Sequence, residues 1–133
     1  MRFYFDTCIW MDLFLDRNIN GKFAKELLEK IILYNYEVVY SDFTIFELKE
    51  REFSDQEIRE LLTIFKSTKI IKLYKTKFQF IEAKQLSKNR NISIGDSLHA
   101  ILARDSESTL ITRDNDFNKI KDVIKAKKPE DLV

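Results

Sequence analysis

Glycine and proline are almost missing from this chain: two Gly and one Pro stand among 133 residues. Long flexible linkers are thereby excluded. So are the glycine-rich phosphate cradles, because a P-loop or a dinucleotide fingerprint needs more glycines than exist. Cysteine occurs once, as Cys8, which leaves no internal disulfide and no thiolate zinc site. A lone cysteine just after an apolar strand reads as a small buried hydrophobe, and the expected compartment is the reducing cytoplasm. Histidine also occurs once, as His99, so a His-pair zinc site is excluded. A structural hydrogen bond or core contact is its simplest role, with general-base work near Asp96 as the alternative. No apolar run approaches the ~18–20 residues that cross a bilayer, so no membrane association is expected. The opening MRFYFDTCIW is not a signal-peptide pattern, since Asp6 interrupts it. An excess of either charge is missing too. The formal net charge is +1, which announces no nucleic-acid binder, although acids gathered in one pocket would leave the remaining surface basic.

What is present is a core. Hydrophobic residues make up 44% of the chain, with eleven Phe and five Tyr. That is enough for one domain spanning 1–133 without staples. Arg2–Phe5 reads as a buried strand ending at Asp6. Ile9, Trp10, Leu13 and Phe14 form one face of a helix over Thr7–Leu15, with Trp10 in the core. Arg17–Gly21 reads as a polar break, followed by an amphipathic helix over Lys22–Tyr34. Glu37–Tyr40 is a second strand. Ser41 caps a helix over Asp42–Arg51, and Ser54 or Asp55 caps another that runs to about Phe65. Lys69–Leu73 is a third strand, followed by a helix over Lys77–Asn89. Ser93 opens a helix over Gly95–Arg104. Thr109–Ile111 is a fourth strand, and Val123–Ile124 is the expected fifth. Strands alternating with helices predict a three-layer α/β/α fold around a central parallel sheet of four to five strands.

Most of the 22 acids belong to the solvated surface. Four stand out by position. Asp6 and Asp114 each follow a strand, and ligands of open α/β sheets sit outside the carboxyl ends of strands. Asp6 also suits a helix cap and Asp114 a turn, with Asp116 a second acid at the same edge. Asp96 lies in Ser93-Ile94-Gly95-Asp96, and taken alone a capping box is its better account. Glu47 sits within a helix between apolar neighbours, and spacing alone makes it a solvated glutamate. Converging carboxylates repel one another unless a cation joins them or their protonation shifts. Oxygen-rich sites without thiolates suit Mg²⁺ or Mn²⁺, which bind phosphates and activate water.

The ordered stretches FYFDTCIWMDLF, FTIFELKE, SIGDSLHAILAR and LITRDNDF, with the KPEDLV ending, resemble the PIN-domain family. The resemblance is strongest to its small single-domain VapC-like toxins and covers nearly the whole chain. It implies an Mg²⁺- or Mn²⁺-dependent endoribonuclease. The family's four acids fall on Asp6, Glu47, Asp96 and Asp114 as catalytic residues. Asp6, Asp96, Asp114 and Asp116 are the implied metal ligands, and Thr7 and Thr112 the supporting hydroxyls. It also implies RNA as substrate, a small antitoxin as partner and a homodimer. Among the basic residues Lys49, Arg51, Arg104 and Arg113, the last is the best candidate for the RNA backbone. Asp12 stays outside the metal set, and Phe43 and Phe46 read as core or interface rather than as stacking platforms.

Other readings stay open at this point. One is a PIN-like RNA-processing nuclease outside any toxin system. Another is a non-catalytic RNA- or protein-binding module whose acids are only caps. A haloacid-dehalogenase-type phosphatase wants D-x-D after its first strand, whereas the residues here are Asp6-Thr7-Cys8. A receiver domain would have only Tyr40-Ser41-Asp42 to imitate its phosphoacceptor.

Overall fold

Backbone alternation in the first strand sets the architecture. In β1 (Arg2–Phe5), Phe3 and Phe5 point to one face and Tyr4 to the other, and all three are buried. A strand covered on both faces is the mark of a parallel sheet between two helical layers. The computed structural model describes residues 1–64 and 69–133. Its sheet adds β2 (Glu37–Ser41), β3 (Ile70–Leu73), β4 (Thr109–Ile111) and β5 (Ala126–Lys127). The order is β3-β2-β1-β4-β5, and every pairing is parallel. Tyr4 stands opposite Val39 on one side and Leu110 on the other, so β1 is central.

One layer holds α1 (Thr7–Leu15), α2 (Asn18–Leu33), α3 (Asp42–Glu50) and α4 (Asp55–Thr63). Trp10, Leu27, Ile31, Leu48 and Leu61 pack there against Phe3, Phe5 and Val38. The other layer holds α5 (Lys77–Arg90), α6 (Ile94–Asp105) and a 3-10 helix over Asn115–Ile120. Leu98, Ile101, Leu102, Phe117 and Ile120 pack there against Tyr4, Val39 and Leu110. The expected three-layer α/β/α arrangement is therefore the observed one.

Helix starts follow local chemistry. Ser41, Ser54 and Thr76 form capping boxes with Thr44, Glu57 and Gln79, each satisfying orphan N–H groups. Several boundaries differ from the sequence-based expectation by a single residue, and two elements differ by more. Helix α2 begins at Asn18, a turn before Lys22, so the break shrinks to Asp16 and Arg17 and most of RNING is helical. Gly21 serves close approach instead: a Cβ there would lie 2.8 Å from the Asp16 carbonyl carbon and 3.1 Å from the Asp12 carbonyl oxygen. The fifth strand is Ala126–Lys127, not Val123–Ile124. Ile124 is drawn into the core, and pairing falls to two residues of low strand propensity. The expected end of the fourth helix at Phe65 lies outside the described residues. Among the described residues, no helix is long and apolar enough to cross a membrane.

Candidate metal centre

The chain reverses direction across the sheet between β1 and β4. The crevice beyond the carboxyl ends of the strands at such a switch point is where open α/β sheets bind ligands. Asp6 leaves β1 at this edge, and Thr112 and Asp114 leave β4 beside it. Asp6 caps α1, with Oδ1 accepting the Thr7 N–H at 2.8 Å. Its Oδ2 accepts the Thr112 hydroxyl at 2.7 Å. Thr112 Oγ1 in turn accepts the Asp114 N–H at 3.1 Å, so one hydroxyl links the two acids across adjacent strands. Cys8 donates its thiol proton to Asp6 Oδ2 at 3.6 Å. Burial and the Asp6 charge push Cys8 up to about 12, so it remains a thiol and not a metal ligand.

Helix α3 brings Glu47 to the same place. Glu47 Oε1 accepts the Thr7 hydroxyl at 2.7 Å and His99 Nε2–H at 2.5 Å. His99 is buried, and its Nδ1 lies 2.7 Å from the Tyr4 hydroxyl. Tyr4 continues to Ser41 at 2.8 Å. Burial works against an imidazolium here. The Tyr4 oxygen, the Glu47 hydrogen bond and the charges of Asp6 and Glu47 outweigh it and push His99 up to about 10. Glu47 moves the other way. Its burial raises it, but the His99 hydrogen bond and charge, Thr7 and Arg51 hold it below the usual carboxylate range. The pair is thus an ion pair, and a doubly protonated imidazole has no lone pair for a metal.

Asp96 stands in the first turn of α6. Its N–H bonds to Ser93 Oγ at 3.0 Å, which supplies the cap half of the expected box. Its carboxyl group turns to Asp114. Burial first, then the charges of Asp6 and Asp114, push Asp96 up to about 7. Helix α6 runs close to Glu47 at this point: a Cβ on Gly95 would lie 3.3 Å from Glu47 Oε2. Asp114 caps the 3-10 helix through the Asp116 N–H at 2.9 Å.

Among the described residues, ligand atoms gather in two groups, each within 4.8 Å internally: Asp6, Glu47 and His99, and Asp96, Asp114 and Asp116. The structure thus brings all five predicted acids to one edge, though not as one set. His99, read from sequence as a structural or core histidine, joins the first group and supplies its positive charge. The second group is carboxylate only. Its donors suit a hard divalent cation, and burial together with the charges of Asp6 and Asp114 raises Asp96. Asp6 faces this group through its charge on Asp96. The residues present therefore fit a Mg²⁺ or Mn²⁺ ion.

Arg113 takes a different place from the one expected. Its guanidinium lies 3.4 Å from Asp12 Oδ2 and 2.9 Å from Glu130 Oε1, largely buried, so structural carboxylates occupy the face that a phosphate would need. Asp12 is buried and also pairs with Arg17 at 3.0 Å, consistent with its exclusion from the metal set. Arg104 is held by Glu82 through two hydrogen bonds and by Asp105. Phe46, expected in a core or interface, is 54% exposed.

The PIN domain profile matches residues 3–123. No curated protein sequence matches the chain significantly. Solved structures do. A chain of the Rickettsia felis VapBC2 complex with a promoter DNA fragment aligns at TM-score 0.70 and 20% identity, covering 96% of this chain and 98% of that one. A chain of a Klebsiella pneumoniae toxin–antitoxin complex aligns at 0.69 and 22%, covering 95% and 96%. Mycobacterium tuberculosis VapC20, a toxin that cleaves the sarcin-ricin loop, aligns at 0.66 and 18%, covering 89% and 94%. At these identities the likeness concerns the fold. The profile match spans nearly the whole sequence, and on that ground the chain belongs to the PIN-domain family.

Proposed function

We propose that this protein is a divalent-metal-dependent endoribonuclease acting as the toxin of a toxin–antitoxin pair. One observation carries the catalytic part: Asp96, Asp114 and Asp116 converge beside Asp6 at the switch point, where burial and then the charges of Asp6 and Asp114 push Asp96 up to about 7. Asp6, Asp96, Asp114 and Asp116 would hold Mg²⁺ or Mn²⁺. When bound, the cation supplies charge neutralisation for an RNA phosphate and activation of the attacking water.

The remaining work falls to side chains. Thr112 fixes the Asp6 carboxylate and Thr7 fixes Glu47, each through a donated hydroxyl proton. His99 keeps its proton on Nε2 against Glu47 and thereby offsets one of the clustered negative charges. Asp96 gives up its shared proton when a cation takes that place, so metal affinity rises with pH.

The toxin part rests on family membership and on fold likeness to chains from VapBC and other toxin–antitoxin complexes. The same reading brings a small antitoxin as partner, a homodimer and a cytoplasmic location. The decisive experiment compares wild type with Asp6→Asn and Asp96→Asn in Mn²⁺-dependent cleavage of single-stranded RNA. Loss of cleavage in both variants is expected. Full activity in both would sink the assignment.

A further inference from the structure

Beside the acidic edge lies a pocket of about 280 Å³ whose walls are Phe43, Phe46 and Phe80, with Lys75 at its border. Phe46 is 54% exposed and stacks on Phe43, ring centres 5.9 Å apart and planes 21° from parallel. Phe43 sits 5.0 Å from the His99 ring. A Cβ on Gly95 would touch both Phe43, at 3.4 Å, and Glu47, at 3.3 Å. The aromatic pocket therefore begins where the carboxylates end.

Charge is partitioned to match. Residues 61–81 contain five lysines and no acid, while the rest of the chain carries 18 basic against 22 acidic residues. Part of this segment is β3, the edge strand, and the loop that follows it. Lys72 lies 5.0 Å over the ring of Tyr74, which is 67% exposed. Lys75 has one carboxylate near, Asp42 at 3.4 Å, which leaves donors for another anion.

We propose that the Phe43–Phe46–Phe80 pocket stacks a base of single-stranded RNA while Lys72 and Lys75 hold the adjoining phosphates. The inference rests on the nuclease reading and adds to it where the substrate lies. Exposed aromatics interleaved with lysines are the chemistry of single-strand binding, in which rings take bases and cations follow the backbone. An apolar polypeptide would fill the pocket without any use for the acid-free, lysine-bearing border, and that is why RNA is favoured.

The test uses a single-stranded RNA oligomer carrying 2-aminopurine, with binding measured in EDTA and cleavage measured in Mn²⁺. Phe46→Ala is expected to raise Kd about tenfold and to abolish 2-aminopurine quenching, with Phe46→Trp restoring both. An oligomer of abasic nucleotides should bind wild type and Phe46→Ala alike. Lys72→Gln with Lys75→Gln should weaken both oligomers and lower the salt slope by about 1.4. Unchanged Kd and quenching in Phe46→Ala would give the pocket to a polypeptide and overturn the proposal. If wild type cleaves RNA but Phe46→Ala keeps its KM, this inference falls and the nuclease reading stands. If quenching behaves as expected but wild type cleaves nothing, the nuclease reading falls alone.

Discussion

Glu47 and His99 are 52 residues apart in the chain and meet at 2.5 Å, with His99 Nε2 also 3.8 Å from Asp6. The contact ties α3 to α6 across the end of the sheet. It also divides the acidic edge, because the imidazolium answers Glu47 while Asp96, Asp114 and Asp116 gather as carboxylates only.

Removing His99 leaves Glu47 half-buried and uncompensated. His99→Ala is expected to cost about 2–4 kcal/mol in urea unfolding, less than a fully buried pair because Glu47 retains some solvent. The pH dependence follows from the upward shift of His99 from 6.5 to about 10. Between these values the native state binds more protons than the unfolded chain, so this contribution is complete below about 6.5 and disappears towards 10. A stability difference between wild type and His99→Ala that grew from pH 6 to pH 10 would refute the pairing.

Asp96 makes a second, separate prediction for the metal-free protein. Its folded value of about 7 lies above the ordinary 3.8, so folding favours the protonated form. Stability from this group is present at low pH and is lost as pH rises from about 4 to 7. Subtracting the Asp96→Asn profile of thermal midpoints should isolate that slope. Added Mn²⁺ should raise the midpoint at pH 8 and have little effect at pH 5. A flat difference profile would show that the carboxylates are not crowded.

Thr112 joins Asp6 to Asp114 through one oxygen. Thr112→Val keeps the shape and loses both bonds. Mn²⁺ affinity by calorimetric titration should fall about 10- to 100-fold. Equal affinity in the variant would remove Thr112 from the site.

Arg113 sits between Asp12 and Glu130. Arg113→Gln is expected to cost about 1–3 kcal/mol, since the buried Asp12 keeps only Arg17 and Glu130 loses its ion pair, while KM for RNA stays within twofold. A large KM change at unaltered stability would return Arg113 to the substrate path.

Gly21→Ala would set a methyl against backbone atoms of Asp16 and Asp12. Overpacking of about 1–3 kcal/mol should outweigh the ~1 kcal/mol that alanine gains over glycine in a helix. A thermal midpoint that rose instead would refute the close-approach role.

The layered fold was readable because its signals are local. Phe3 to Phe5 is apolar throughout, Ser41 and Ser54 carry caps, and the helices have apolar stripes. The misread places are those where tertiary contact overrules local preference: Gly21 is held by α1, and Ala126–Lys127 becomes a strand only because β4 lies alongside. The acids at strand ends were visible as positions. Glu47 was not, since its partners Thr7 and His99 are 40 and 52 residues away. His99 was placed at the right spacing from Asp96, but nothing local shows that Tyr4 and Glu47 would hold both its nitrogens. Phe46 was read as core or interface, and only the core half of that reading fails, because α3 turns Phe46 outward and Leu48 inward.

The Thr112–Asp6 bond spans 106 positions, and β1 gains its β4 neighbour only from the last quarter of the polymer. A nascent chain still emerging from the ribosome holds Asp6 and Glu47 but not the strand that completes the edge. The edge that gathers Asp6 and Asp114 is thus the product of a long-range pairing, assembled only after residues 109–114 have been made and laid against β1.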